Sequence, residues 1–196
     1  MIGGDFTERT TDFLAQGGQQ WVARPAIPVK MGLGLCAVAI TELSFLAIWG
    51  NKILEYQAQI ANPTSDAGWQ EGTIWPALQT RRGGRPGCTK VNGRVVIAGG
   101  RYAGEPHRST EVLDLDTGKY EFAEDLTMRR LGFHIVTIRT GGIDSTFAMG
   151  AMGDDGPSYL TFVEEFNSDT LAWKPSGGNL LVTRAWFGAI ALPTLI

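Results

Sequence analysis

Four basic side chains, Lys30, Arg82, Arg130 and Arg184, recur along the chain, each shortly before an apolar run. A guanidinium presents fork-shaped donors that match a carboxylate, so a rim of such groups suits an acidic peptide. Cys36, Cys88 and His134 recur as well, each near the start of such a run. Thiolate and imidazole are zinc ligands, which makes this trio a candidate metal centre. The pair Gly99-Gly100 follows the run Val95-Val96-Ile97-Ala98 as a phosphate-binding turn would, yet no helix and no Lys-Ser/Thr come after it. It reads instead as a backbone turn where no side chain fits. Two histidines, His107 and His134, are available for acid–base work. Neither has the partner pattern of a serine or cysteine nucleophile. No catalytic residue, cofactor or metal is expected.

These residues are positioned by short strands. From Gly87 the chain reads as a strand ending on Val91, a turn at Asn92-Gly93, and the buried run Val95 to Ala98. A polar loop, the alternating strand Glu111 to Leu115, a turn at Asp116-Thr117-Gly118 and the aromatic Tyr120 follow. Asn-Gly and Asp-Thr-Gly between strand-like runs are hairpin signals, because glycine adopts the positive φ that tight turns need. Four short antiparallel strands cannot bury both faces of their sheet alone, so such a unit needs copies of itself. The copies are present. Cys36 to Ile40, Phe45 to Gly50, Ile53 to Ile60 and Trp69 form one, and His134 to Ile138, Phe147 to Gly150, Leu160 to Phe166 and Trp173 another. A partial unit with Gly3, Gly4 and Trp21 precedes them, and Gly188 to Leu192 begins a further one. The landmarks Trp21, Trp69, Tyr120 and Trp173 step by 69−21=48, 120−69=51 and 173−120=53 residues. A period of about 50 residues with four strands per unit is the length of one propeller blade. The aromatics are expected to wedge between blades.

Composition narrows the function. A chain of 196 residues with 43% apolar residues can fill a sizeable core, and 26 glycines with frequent turn dipeptides point to an all-β fold. A formal charge of −3 argues against general nucleic-acid binding. The apolar stretch from Met31 to Gly50 is broken by Thr41-Glu42 into two strand-sized runs, so no membrane span is expected. The start of the chain lacks the regions of a signal peptide, and two cysteines lean towards a reducing, cytoplasmic compartment.

The glycine doublet, Glu111-Val112 about eleven residues on, the aromatic at Tyr120 and the basic residue opening each unit resemble the kelch repeat. Trp49-Gly50 and Met149-Gly150 stand where that repeat has a glycine doublet, and Tyr120 replaces its usual tryptophan. The resemblance implies a β-propeller serving as a protein-binding platform. The expected organisation is one partial propeller of about four blades' worth: a partial blade over 1–27, blades over 28–76, 77–127 and 128–180, and a first strand over 181–196. The chain is accordingly read as part of a longer propeller, with a small closed ring as the alternative. In such a ring the first strands line a central channel. Matching residues of neighbouring blades would stand too far apart to share one ion, or to form a Cys36–Cys88 disulfide, whose Cα atoms must lie within about 7 Å. Lys30, Arg82, Arg130 and Arg184 would converge on one rim as the site for a protein or acidic peptide, unless each pairs with acidic loop residues such as Glu71 or Asp125. The expected function is a non-enzymatic interaction module. The alternatives are a piece of a galactose-oxidase-like or sialidase-like enzyme, or the substrate-recognition part of a ubiquitin-ligase adaptor.

Overall fold

A computed structural model describes residues 11–13, 20, 22–24, 34–41, 44–57, 69–71, 75–152 and 160–189, with backbone alone at 11–13, 22–24 and 69–71. Gly3, Gly4, Trp21 and Lys30 lie outside the described residues, as does the side chain of Trp69.

All the regular structure described is β. The strands β1 (Thr11–Phe13) and β2 (Val22–Arg24) pair as a hairpin. Three four-stranded antiparallel meanders follow. The first orders β3 (Cys36–Ala39), β4 (Ser44–Trp49), β5 (Lys52–Gln57) and β6 (Trp69–Glu71). In the second blade β7 (Gly87–Val91) and β8 (Arg94–Ala98) are separated from the outer strands by a small hairpin, β9 (Arg101–Tyr102) with β10 (Glu105–Pro106). Its outer strands are β11 (Thr110–Asp114) and β12 (Tyr120–Ala123), and its order is β7-β8-β11-β12. The third blade runs β13 (His134–Thr140), β14 (Ile143–Met149), β15 (Val163–Asn167) and β16 (Ala172–Pro175). The Asn92-Gly93 turn has φ of 48° and 73°, the left-handed pair that a two-residue hairpin requires.

Packing explains why β8 has no polar face. Successive strand side chains point to opposite faces of the sheet, and this sheet has a neighbour on each side. Val96, Ala98 and Val112 meet Phe133, Ile135, Ala148, Phe166 and Trp173 of the following blade. Val95, Ile97 and Leu113 meet Leu46, Ile48 and Ile53 of the preceding one. Two of the in-phase aromatics, Trp173 and Tyr120, sit at these seams. Trp173 is buried and its Nε1–H donates to Thr110 Oγ1 at 3.0 Å, one blade back. Tyr120 packs against the other seam, and its hydroxyl donates to the Pro76 carbonyl at 3.1 Å. Burial there drives its phenol well above the ordinary value. Gly99 and Gly100 have φ of 61° and 94°, and a Cβ on Gly99 would stand 2.6 Å from the Arg130 carbonyl oxygen and from the Phe133 ring. The doublet is a turn in which Gly99 is pressed against the next blade, where only hydrogen fits.

Candidate functional site: the mouth of the central pocket

The first strands β3, β7 and β13 stand side by side where the three sheets converge. Together with the segment 186–189 they line a concave pocket of about 560 Å3. Its walls include Cys36, Cys88, Thr89, His134 and Thr137, its mouth carries Arg85 and Trp186, and no carboxylate is among its lining residues within the described part of the chain. Thr89 and Thr137 share a hydroxyl hydrogen bond of 3.2 Å across the β7–β13 seam. His134 is half-buried there, beside the Phe187 ring at 5.6 Å. Burial alone pushes its imidazole below the usual value, towards the neutral form.

Two expectations are corrected at this point. Cys36 and Cys88 are joined by a disulfide with their Cα atoms 6.0 Å apart. Blade geometry does not hold them apart, because innermost strands of adjacent blades approach most closely. With both sulfurs bonded to each other, the Cys36–Cys88–His134 trio offers one free ligand, and the lean towards a reducing compartment loses its support.

The second correction concerns the arginines. Arg82 and Arg130 are wholly buried and do not face a partner. Each is the centre of the same repeated network. Arg82 Nη2 lies 3.1 Å from Glu111 Oε1, while its Nη1 donates to the carbonyls of Gly99 and Ser109, both at 2.8 Å. Glu111 in turn accepts the N–H groups of Gln79 and Thr80 at 2.8 and 2.9 Å. Arg130 donates to Glu164 Oε2 from Nε and Nη2 at 2.9 and 2.7 Å, and from Nη1 to the carbonyls of Gly150 and Phe162. Glu164 accepts the N–H and hydroxyl of Thr127, both at 2.7 Å. Burial lowers both guanidinium pKa values, and the facing glutamates act against that. The partners are thus third-strand glutamates of the same blade, not loop acids. Their signal is in the sequence: Glu111 and Glu164 each stand within the third strand of a blade, 29 and 34 residues beyond their arginines. Arg184 holds the corresponding backbone place, its carbonyl accepting the Ala151 N–H at 2.9 Å as that of Arg130 accepts the Gly100 N–H, but its side chain is exposed.

A different set of residues reaches the pocket mouth. Gly34, Arg85, Gly132 and Trp186 occupy equivalent places ahead of successive first strands, and all four are left-handed, with φ of 79°, 64°, 64° and 60°. A run of backbone hydrogen bonds links them: Arg85 N–H to Gly34, Gly132 N–H to Arg85, and Trp186 N–H to Gly132. Side-chain residues in this conformation are strained and concentrate at ligand clamps. The Arg85 stem lies over Gly34, the Trp186 ring lies over Gly132, and the Arg85 guanidinium stacks 3.6 Å from the Trp186 ring centre. Arg101 stands close enough to Arg85 to join burial in lowering its pKa. Next to it, Arg81 lies over the exposed Tyr102 ring at 5.2 Å. Trp186 does not stand out in the sequence, whereas Arg85 is one of several arginines ahead of a first strand and only its strained backbone sets it apart from them.

Comparison with known proteins agrees with this architecture. Residues 82–127 match the Kelch motif. No curated protein sequence matches the chain. Among solved structures, "Structure of YjhT" superposes with a TM-score of 0.61 at 13% identity, covering 83% of this chain and 56% of that one. The chain therefore spans just over half the length of that structure, and the likeness is one of fold. The matched motif falls on the blade whose strand order and arginine–glutamate pairing the next blade repeats, so the chain carries a kelch motif within a fold built of propeller-like blades.

Proposed function

We propose that the chain is a non-enzymatic protein-interaction module that receives an acidic segment of its partner at the pocket mouth. The observation carrying this reading is the Arg85–Trp186 pair, a cation and an aromatic held at the opening in strained left-handed backbone. Strain of about 1–3 kcal/mol per residue is tolerated where a side chain must be aimed rather than packed. Arg85 keeps its charge, since a guanidinium does not deprotonate in proteins. With Arg101 beside it and no carboxylate among the described residues of the pocket lining, the opening favours an anion. Trp186 and Tyr102 add exposed aromatic area of the kind that anchors protein interfaces. A binding role also fits His134, whose imidazole burial holds towards the neutral form and which has no carboxylate beside it among the described pocket-lining residues.

The test is fluorescence anisotropy with labelled peptides of alternating glutamate and leucine, against neutral peptides in which glutamine replaces glutamate. The acidic peptide is expected to bind, and to bind less as salt rises. Arg85→Ala and Arg101→Ala should each weaken it several-fold, whereas Lys119→Ala, in the turn before β12, should not. Equal binding of acidic and neutral peptides, or equal losses with Lys119→Ala, would overturn the reading.

A further inference from the structure

We infer that the Cys36–Cys88 disulfide positions Arg85, so that partner binding at the mouth depends on the redox state of this one bond. The inference rests on the binding role proposed above and adds a control to it. Cys36 lies two residues beyond Gly34 and Cys88 three beyond Arg85, so the bond ties the two segments that carry the first pair of mouth residues. Those segments also touch directly, through the Arg85 N–H on the Gly34 carbonyl and the Arg85 stem over Gly34.

The neighbouring seam shows what the disulfide replaces. Between β7 and β13, Phe133 and Ile135 close over Gly87 and Thr89 bonds to Thr137, so side-chain packing knits the strands. Between β3 and β7, as between β7 and β13, no strand ladder forms among the described residues; away from the mouth Val38 packs into the shared core and Lys90 Nζ donates to the Ile40 carbonyl, while the pocket side of β3 offers the small, exposed Ala37 and Ala39. At the mouth end the covalent bond does the work that bulk does one seam along. Cys36 lines the pocket and is only half-buried, so a reductant reaches its sulfur from the pocket side.

The step is ordinary thiol–disulfide exchange. The thiolate of a dithiol attacks Cys36 Sγ, and the S–S bond breaks with its electron pair leaving on Cys88. The second thiol of the reagent then closes on the mixed disulfide and releases Cys36. Two electrons and two protons pass to the protein, which holds two thiols, and the dithiol departs as a disulfide. Without the tie the mouth end of β3 drifts from β7, the Arg85 amide loses its acceptor, and the guanidinium leaves the Trp186 ring.

Two readouts separate this inference from the binding reading. Amide exchange is followed in oxidised protein, in protein reduced with dithiothreitol, and in the Cys36→Ser/Cys88→Ser double variant. The Arg85 amide should exchange at least tenfold faster once the bond is gone, while the Trp186 amide and those of β14 and β15 keep their protection. Anisotropy with the glutamate–leucine peptide should show about tenfold weaker binding for reduced and double-variant protein, with no further effect of dithiothreitol on the variant. Unchanged exchange at Arg85 after reduction overturns the inference. So does loss of protection throughout β14 and β15, which would make the disulfide a global staple rather than a local one. If the oxidised protein binds no peptide, the binding reading fails, and the exchange experiment still decides whether the bond holds Arg85.

Discussion

At Arg130 and Glu164 a full charge pair is closed off from water, with Arg130 Nη1 bonded to two backbone carbonyls and Glu164 Oε1 to the N–H and hydroxyl of Thr127. Removing one partner leaves the other charged and stranded. Glu164→Ala is therefore expected to cost about 3–5 kcal/mol in urea unfolding, and Arg130→Lys to destabilise as well, since an ammonium cannot span a carboxylate and two carbonyls. Replacing both, as Arg130→Met with Glu164→Leu, should cost less than Glu164→Ala alone, because no charge is then buried unpaired. A double variant as unstable as the single one would count against that account. The two histidines set a pH dependence. Burial lowers the pKa of His134, and burial followed by Arg82 and Arg129 lowers that of His107, both from an ordinary 6.5. Between the folded value and 6.5 the unfolded chain binds more protons, so stability is fully present above about pH 6.5 and is lost as pH falls towards the folded value. Thermal midpoints at pH 7.5 and pH 5.5 should differ accordingly, and His134→Gln should flatten the curve.

Among the elements, the seams between blades carry the energy. Trp173→Ala is expected to lose roughly 3–5 kcal/mol, since the ring is buried against the preceding blade and its N–H is bonded there. Gly99→Ala should destabilise more than Gly93→Ala: both glycines are left-handed, but only at Gly99 would the methyl meet a neighbouring carbonyl and ring. Chemical denaturation of the two variants side by side reads the difference. These strands and turns were legible because their cues are local: alternation, an apolar run, and Asn-Gly or Asp-Thr-Gly at its end. The β9–β10 hairpin was not, since a two-residue ladder of polar residues shows no alternation. Arg82 and Arg130 were misplaced for another reason. Arginine is almost always a surface residue, and its partner lies 29 or 34 residues downstream, visible only when Glu111 and Glu164 are compared with each other.

For the whole molecule, far-UV circular dichroism should be dominated by sheet, and helix above about a quarter of the chain would contradict the blades. The repeat period was readable along the chain, whereas the disulfide and the pocket mouth were not. Both depend on how closely innermost strands of separate sheets approach, and that distance is set by packing between blades. The mouth has one property that reaches beyond any single blade. Its successive places are filled small, large, small, large: Gly34 beneath Arg85, Gly132 beneath Trp186. A bulky residue here needs a glycine beside it, so the pattern obeys parity. Around a closed circle it fits without fault only for an even number of blades. An odd number forces two small residues together and opens a notch in the rim at that one place, where a ligand could enter from the side.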